Sequence, residues 1–168
     1  KGLEPLANLV LMQLTKTPLL KEAEHYISEE KGVLTAEEAL NGAKDILAER
    51  IAETAEYRTY IRKATFQEGS LDSSARDGNA ESVYEMYYNF TEPVKKAAGH
   101  RILALNRGEK EKILTVKITA PEEKILRYLE KKVITRENPE TARVLREVTE
   151  DSYKRLISPA IEREIRSE

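Results

Sequence analysis

Seven cations fall between Pro93 and Ile118: Lys95, Lys96, Arg101, Arg107, Lys110, Lys112 and Lys117. Against them stand two acids, Glu109 and Glu111, so the window carries +5, and with a whole-chain charge of −2 the rest of the chain carries −7. A basic corner on an acidic body is a phosphate site in outline, because closely set ammonium and guanidinium groups displace the counterions of a phosphate backbone. The plain alternative is a solvated charged face. Lys95, Lys96, Arg101, Arg107, Lys110 and Lys112 are therefore the candidate nucleic-acid-binding residues. The overall charge of −2 argues against a chain wholly given over to nucleic acid. Arg101 and Arg107 separate the two readings: buried pairing to carboxylates favours a scaffold, and an exposed row favours phosphate.

Other chemistry finds little support. The seven glycines are isolated, so no phosphate-cradling loop forms, and no His-Glu-x-x-His pair is present. The two histidines, His25 and His100, lie too far apart for a triad, and His25 reads as a surface residue on a helix. With no Cys, disulfides, thiolate metal sites and thiol catalysis are excluded, which fits a reducing compartment. The carboxylate pairs Glu29-Glu30, Glu37-Glu38 and Glu122-Glu123 sit near helix ends, where solvation and the helix dipole account for them. The expectation is no catalytic residue, no metal ligand, no cofactor and no small-molecule substrate. No apolar run of about 18 residues exists to span a membrane.

The elements that must hold the basic corner read as mostly α, a multi-helix domain over residues 1–168 with one small β element near residues 102–118. Five of the six prolines stand where helices start, at Glu4-Pro5, Thr17-Pro18, Ala120-Pro121, Asn138-Pro139 and Ser158-Pro159. The helix from Thr17-Pro18 is expected to end with Gly32 at its C′ position. Thr35 and Glu38 form a capping-box pair ahead of Ala39, Leu40, Ala43, Leu47 and Ile51. Thr54 is expected to cap a second helix ending at Gly69, with one long helix over both as the alternative. Gly69–Asn79, with Ser70, Asp72, Ser73, Ser74, Asp77 and Gly78, reads as a loop. Val83, Tyr84, Met86, Tyr87, Tyr88 and Phe90 read as a helix face packed into a core, with base stacking as the alternative. Glu92-Pro93 leads into a short basic helix ending near Gly99. Ile113–Ile118 alternates as a strand. Ile102, Leu103 and Leu105 fall on a helix that stops at Gly108, with a strand over Ile102–Ala104 as the alternative. A strand cannot stand alone, so either Ile102–Asn106 pairs with Ile113–Ile118 as a hairpin or its partner belongs to chain outside this sequence. The chain opens at Lys1 without Met and stops at Glu168 inside a helical pattern, so it reads as a piece of something longer.

Several passages together carry a family resemblance. HRILALNRGEKE followed by LTVKI resembles the segment that bacterial transcription accessory proteins of the Tex family carry ahead of a nuclease-like domain. KGLEPLANLVLMQ, EEALNGAKDILAERIAE and DSYKRLISPAIEREIR are similar to family passages at the start, middle and end of the same central region, in order. The chain departs from the pattern at Ala97-Ala98-Gly99, where the family tends to have Ile-Pro-Ser. The resemblance implies a cytoplasmic bacterial protein that acts in transcription and binds nucleic acid, RNA or DNA, with contacts to the transcription machinery. It also implies that the nuclease-like (YqgF, RuvC-related) domain, the helix-hairpin-helix motifs and the OB-type RNA-binding domain follow Glu168. This chain would then be the central helical scaffold, with a basic patch, that holds the other modules in place, with a protein-docking module that makes no nucleic-acid contact as the alternative.

Overall fold

The computed structural model describes residues 2–76, 84–97 and 99–166. In chain order the elements are α1 (Glu4–Met12), α2 (Leu19–Ala23), α3 (Ala36–Glu53), α4 (Ala55–Glu68), β1 (Ser70–Ala75), β2 (Asn89–Pro93), α5 (Gly99–Lys110), β3 (Leu114–Thr119), α6 (Glu122–Val133), α7 (Pro139–Asp151) and α8 (Ser158–Arg166). Single 3-10 turns cover Glu24–Tyr26, Glu85–Tyr87 and Val94–Lys96, and a π turn covers Ser152–Ile157. The fold is mostly α with a small antiparallel sheet. Among the described residues no helix is long and apolar enough to cross a membrane. The chain gathers into two compact units, one of residues 1–58 and 123–158 and the other of 59–122 and 159–168.

The first unit is built on α3, which packs against α1, α2, α7 and the π turn. Its buried face is Ala39, Leu40, Ala43, Leu47, Ala48 and Ile51, and the small alanines let neighbouring backbones come close. Thr35 caps α3 by accepting from the Glu38 N–H at 3.1 Å, and the Glu38 carboxylate accepts in turn from Leu34 N–H at 2.7 Å. The reciprocal cap thus reaches one residue further back than the usual box. Thr54 marks the break before α4: its hydroxyl donates to the Arg50 carbonyl, and its own carbonyl accepts from Tyr57 and Arg58.

A buried glutamine closes this unit. Gln13 is 4% exposed and sits after α1 in the left-handed region, at φ 60°. Its amide donates to the Val133 carbonyl at 2.8 Å and accepts from the N–H groups of Thr135 and Arg136 at 2.9 and 3.2 Å. Asn138 answers from the same connection, donating to the carbonyls of Gln13 and Thr15 while capping α7 through Glu140 N–H. The end of α1 and the α6–α7 link so satisfy each other's unpaired backbone groups.

In the second unit β1 is the central strand of a three-stranded sheet, ordered β2-β1-β3 and antiparallel throughout. Leu71, Leu114 and Val116 face a core completed by Ile61 and Ala64 of α4, Leu105 of α5 and Ile161 and Ile165 of α8. The last turn of α5 lies so close to β3 that the Leu114 side chain fills the space a β-carbon on Gly108 would need.

Four expectations need correction here. Ser70–Ala75 is a strand rather than a loop, because pairing on both sides overrides a turn-like composition; Asp77, Gly78 and Val83 lie outside the described residues, as does Ala98. Tyr84–Phe90 is a 3-10 turn leading into β2 rather than a helix, although Tyr84 and Tyr87 are buried as expected. The partner of Leu114–Thr119 is β1, while Ile102–Asn106 is helical within α5. The helix after Pro18 ends at Ala23, and Gly32, at φ 75°, turns a tight loop closed by paired Ser28 and Val33.

The Gln13 clasp makes a two-part stability prediction. Gln13→Ala removes the buried side-chain bonds and is expected to cost about 2–4 kcal/mol. Gln13→Gly removes the same bonds but relieves the left-handed backbone, so its cost is smaller by about 1 kcal/mol. Urea unfolding of the two variants checks the order; equal losses would show that the φ of this residue carries no strain.

Candidate nucleic-acid interface

All six candidate cations lie in the second unit. Lys95 and Lys96 end the 3-10 turn before α5 and are exposed. Arg101, Arg107 and Lys110 lie on α5, and Lys112 in the turn after it. A helix advances 100° per residue, so six residues place Arg101 and Arg107 on different faces.

Their fates differ accordingly. Arg101 turns toward the sheet, forms an ion pair with Glu92 and lies 5.9 Å from the centre of the Phe90 ring. The Glu92 side chain is 13% exposed, and its second oxygen is buried without a hydrogen-bond partner among the described residues. This is a structural pair. Arg107 and Lys110 are exposed and form no ion pair among the described residues. With His100 and Leu103 they follow a three-four-three spacing, one face of the helix, opposite buried Leu105 and Gly108. His100 and Leu103 escaped the reading of charge alone; the helical spacing was the signal that marked them.

The two acids of the window are engaged elsewhere. Glu109 pairs with Arg166 at 2.5 Å. Glu111 accepts from the Tyr84 hydroxyl at 2.5 Å, a bond that, with burial, pushes the tyrosine pKa up. Lys117 is balanced by Asp72, directly opposite it on β1. Among the described residues the cations of the window left without a carboxylate partner are Lys95 and Lys96 ahead of α5, and Arg107, Lys110 and Lys112 along its outer edge and C-terminal turn.

That turn holds Lys112 in an unusual place. Ile113 N–H bonds to the Gly108 carbonyl and Lys112 N–H to the Glu109 carbonyl, both at 3.0 Å, the two bonds of a Schellman motif. Lys112 occupies the C′ position at φ 62°, where glycine is the usual residue.

On the outer face of the sheet Asp72 gathers three hydroxyls: Ser70 donates at 3.1 Å, Thr91 from β2 at 2.5 Å, and Thr119 from β3. Burial alone would raise the Asp72 pKa, but Thr119, Thr91 and Ser70, with the charge of Lys117, outweigh it and hold the carboxyl below its ordinary 3.8.

One unit is thus a small antiparallel sheet carrying a helix with a basic edge, and the other is a set of helices built on the long α3. The chain belongs to the Tex central region-like family, which matches residues 15–168. It is 50% identical over 171 residues to the Bacillus subtilis protein YdcI, a match covering 100% of this chain and 24% of that protein. It is 36% identical over 119 residues to the protein tex of Bordetella pertussis, covering 70% of this chain and 15% of the relative. Against the human S1 RNA-binding domain-containing protein 1 it is 30% identical over 181 residues, covering 99% of this chain and 18% of that protein. The chain thus spans a quarter or less of the length of each of these relatives.

Two predictions come from this geometry. Arg101→Ala strands the half-buried Glu92 carboxylate and is expected to cost roughly 1–2 kcal/mol. Arg107→Ala is expected to stay within about 0.5 kcal/mol of the parent chain, since it removes no pair. Thermal melts of the two variants test the contrast. Asp72 adds a pH dependence of known sign: its folded pKa is depressed, so its contribution is fully present above the unfolded value of 3.8 and is lost as pH falls through the lower folded value. Melts between neutral pH and the acid range should show the parent chain losing more stability than Asp72→Asn over that window. Parallel curves would remove the hydroxyl cluster as the cause.

Proposed function

We propose that this chain is a helical scaffold within a nucleic-acid-binding transcription accessory protein, and that the outer edge of α5 gives the scaffold a phosphate contact of its own. The observation that carries the reading is the exposed row of Arg107 and Lys110, continued by Lys112, whose neighbouring acids are engaged with Arg166 and Tyr84. Family membership supports the setting: relatives carry the names transcriptional accessory protein Tex and S1 RNA-binding domain-containing protein 1. The setting we propose is the cytoplasm, next to the transcription machinery, with no catalytic centre in this chain.

Lys112 adds weight. A side chain at φ 62° costs roughly 1 kcal/mol relative to glycine. A lysine kept at that cost places an ammonium group at the end of the row. The second reading, a protein-docking module without nucleic-acid contact, draws on Arg101, whose charge is absorbed by Glu92. The two readings share the scaffold and part over the α5 edge.

The test is binding to short single-stranded RNA and to duplex DNA across a salt series. Three phosphate contacts predict an affinity loss of about 20-fold for RNA and about 40-fold for duplex DNA between 50 and 200 mM salt. Arg107→Ala with Lys110→Ala is expected to flatten that slope. Lys112→Gly is expected to raise stability by about 0.5–1 kcal/mol while weakening binding, a split that general destabilisation cannot produce. A folded chain that binds neither ligand at low salt would leave the docking reading.

A further inference from the structure

The second unit also contains a cavity of about 110 Å³. Phe66 of α4, Leu71 of β1, Ile102 of α5, Ile118 of β3 and Ile165 of α8 form its walls. Phe66 is 38% exposed, so the aromatic ring stands at an open mouth rather than over a sealed core. The polar residues at the lining are Lys95, Asn106 and Arg166. Arg166 is spoken for, bonded to Glu109 and to Asn106 at 2.8 Å. Lys95 is exposed and has no ion pair among the described residues, and Lys96 follows it.

An apolar hole with an unbalanced ammonium at its rim selects its occupant by chemistry. An apolar cavity of about 150 Å³ holds a benzene-sized group, so this one suits a single branched aliphatic side chain. A nucleobase is a poor match, since its polar edges would lie against Leu71, Ile102, Ile118 and Ile165 unsatisfied. A few side chains buried in pockets carry most of the energy of an interface, and charge pairs at its rim steer association and specificity.

We infer that the cavity receives one leucine or isoleucine side chain from an acidic segment of a protein partner, whose carboxylates pair with Lys95 and Lys96. This goes beyond the phosphate contact and shares no residue with it, because that contact rests on Arg107, Lys110 and Lys112.

Fluorescence anisotropy of the 168-residue chain with a dye-labelled acidic peptide carrying one central leucine tests the proposal. The peptide with leucine replaced by alanine, and the chain variants Lys95→Glu and Ala97→Phe, are each expected to bind about tenfold more weakly. Arg107→Ala with Lys110→Ala is expected to leave peptide affinity within about twofold while flattening the RNA salt slope, so the two proposals fail separately. Lys95→Glu changes an exposed residue and keeps the test valid should Ala97→Phe not fold. Methyl resonances of Ile102, Ile118 and Ile165 should shift on titration with the leucine peptide. The inference is overturned if the folded chain does not bind that peptide, if the alanine peptide binds equally well, or if RNA competes the peptide off while Lys95→Glu leaves it bound.

Discussion

The backbone pairing of β1 with strands on both sides is the constraint from which the second unit follows. β2 and β3 do not pair with each other, so the sheet exists only through Ser70–Ala75 between them. The strand is short and rich in serine, with little side-chain reason to be extended. Its strength comes from position: both edges of its backbone are bonded, Leu71 and Ser73 turn inward, and Asp72 draws hydroxyls from β1, β2 and β3 to one carboxylate. A one-residue slip would turn Leu71 outward and scatter those hydroxyls, so the apolar and polar faces specify the same register.

From that strand the basic edge is placed by a short chain of contacts. Pairing fixes β3, Leu114 in β3 packs into the gap at Gly108, and the Schellman turn at Lys112 joins the two. The orientation of α5 is then determined, and with it the division of labour among its cations. Arg101 is drawn toward Glu92 and Phe90, while Arg107 and Lys110 are turned to water. Charge density in the sequence becomes a surface feature because the intervening acids, Glu109 and Glu111, are pulled toward Arg166 and Tyr84.

Features with local causes were legible in the sequence. Thr35, Asn138 and the prolines define helix starts through the residues beside them, and those helices begin there, although the one after Pro18 stops at Ala23. The sheet was less legible because its causes are non-local. Ser70–Ala75 carries the composition of a turn and becomes a strand through partners well removed in sequence. Tyr84 and Tyr87 show a spacing of three, which a 3-10 turn satisfies as well as an α-helix. The location of the candidate cations was evident from composition, whereas their individual roles depended on Glu92 and Tyr84, neighbours that the linear order does not reveal. The family resemblance succeeded where periodicity was silent, since it draws on ordered passages along the whole chain.

The Gln13 clasp has a consequence for the order in which the protein is made. The glutamine lies near the start, yet its acceptor at Val133 is 120 residues downstream. At translation rates of roughly 5–20 residues per second, α1 waits on the order of ten seconds for the connection that fastens it. During that interval Leu6 and Val10 can lean on α3 but lack α7, and the carbonyls at the end of α1 are unlatched. The nascent chain therefore carries a half-closed helical layer while the entire sheet is being synthesised, an interval in which chaperones and proteases have access to a surface that the finished protein hides.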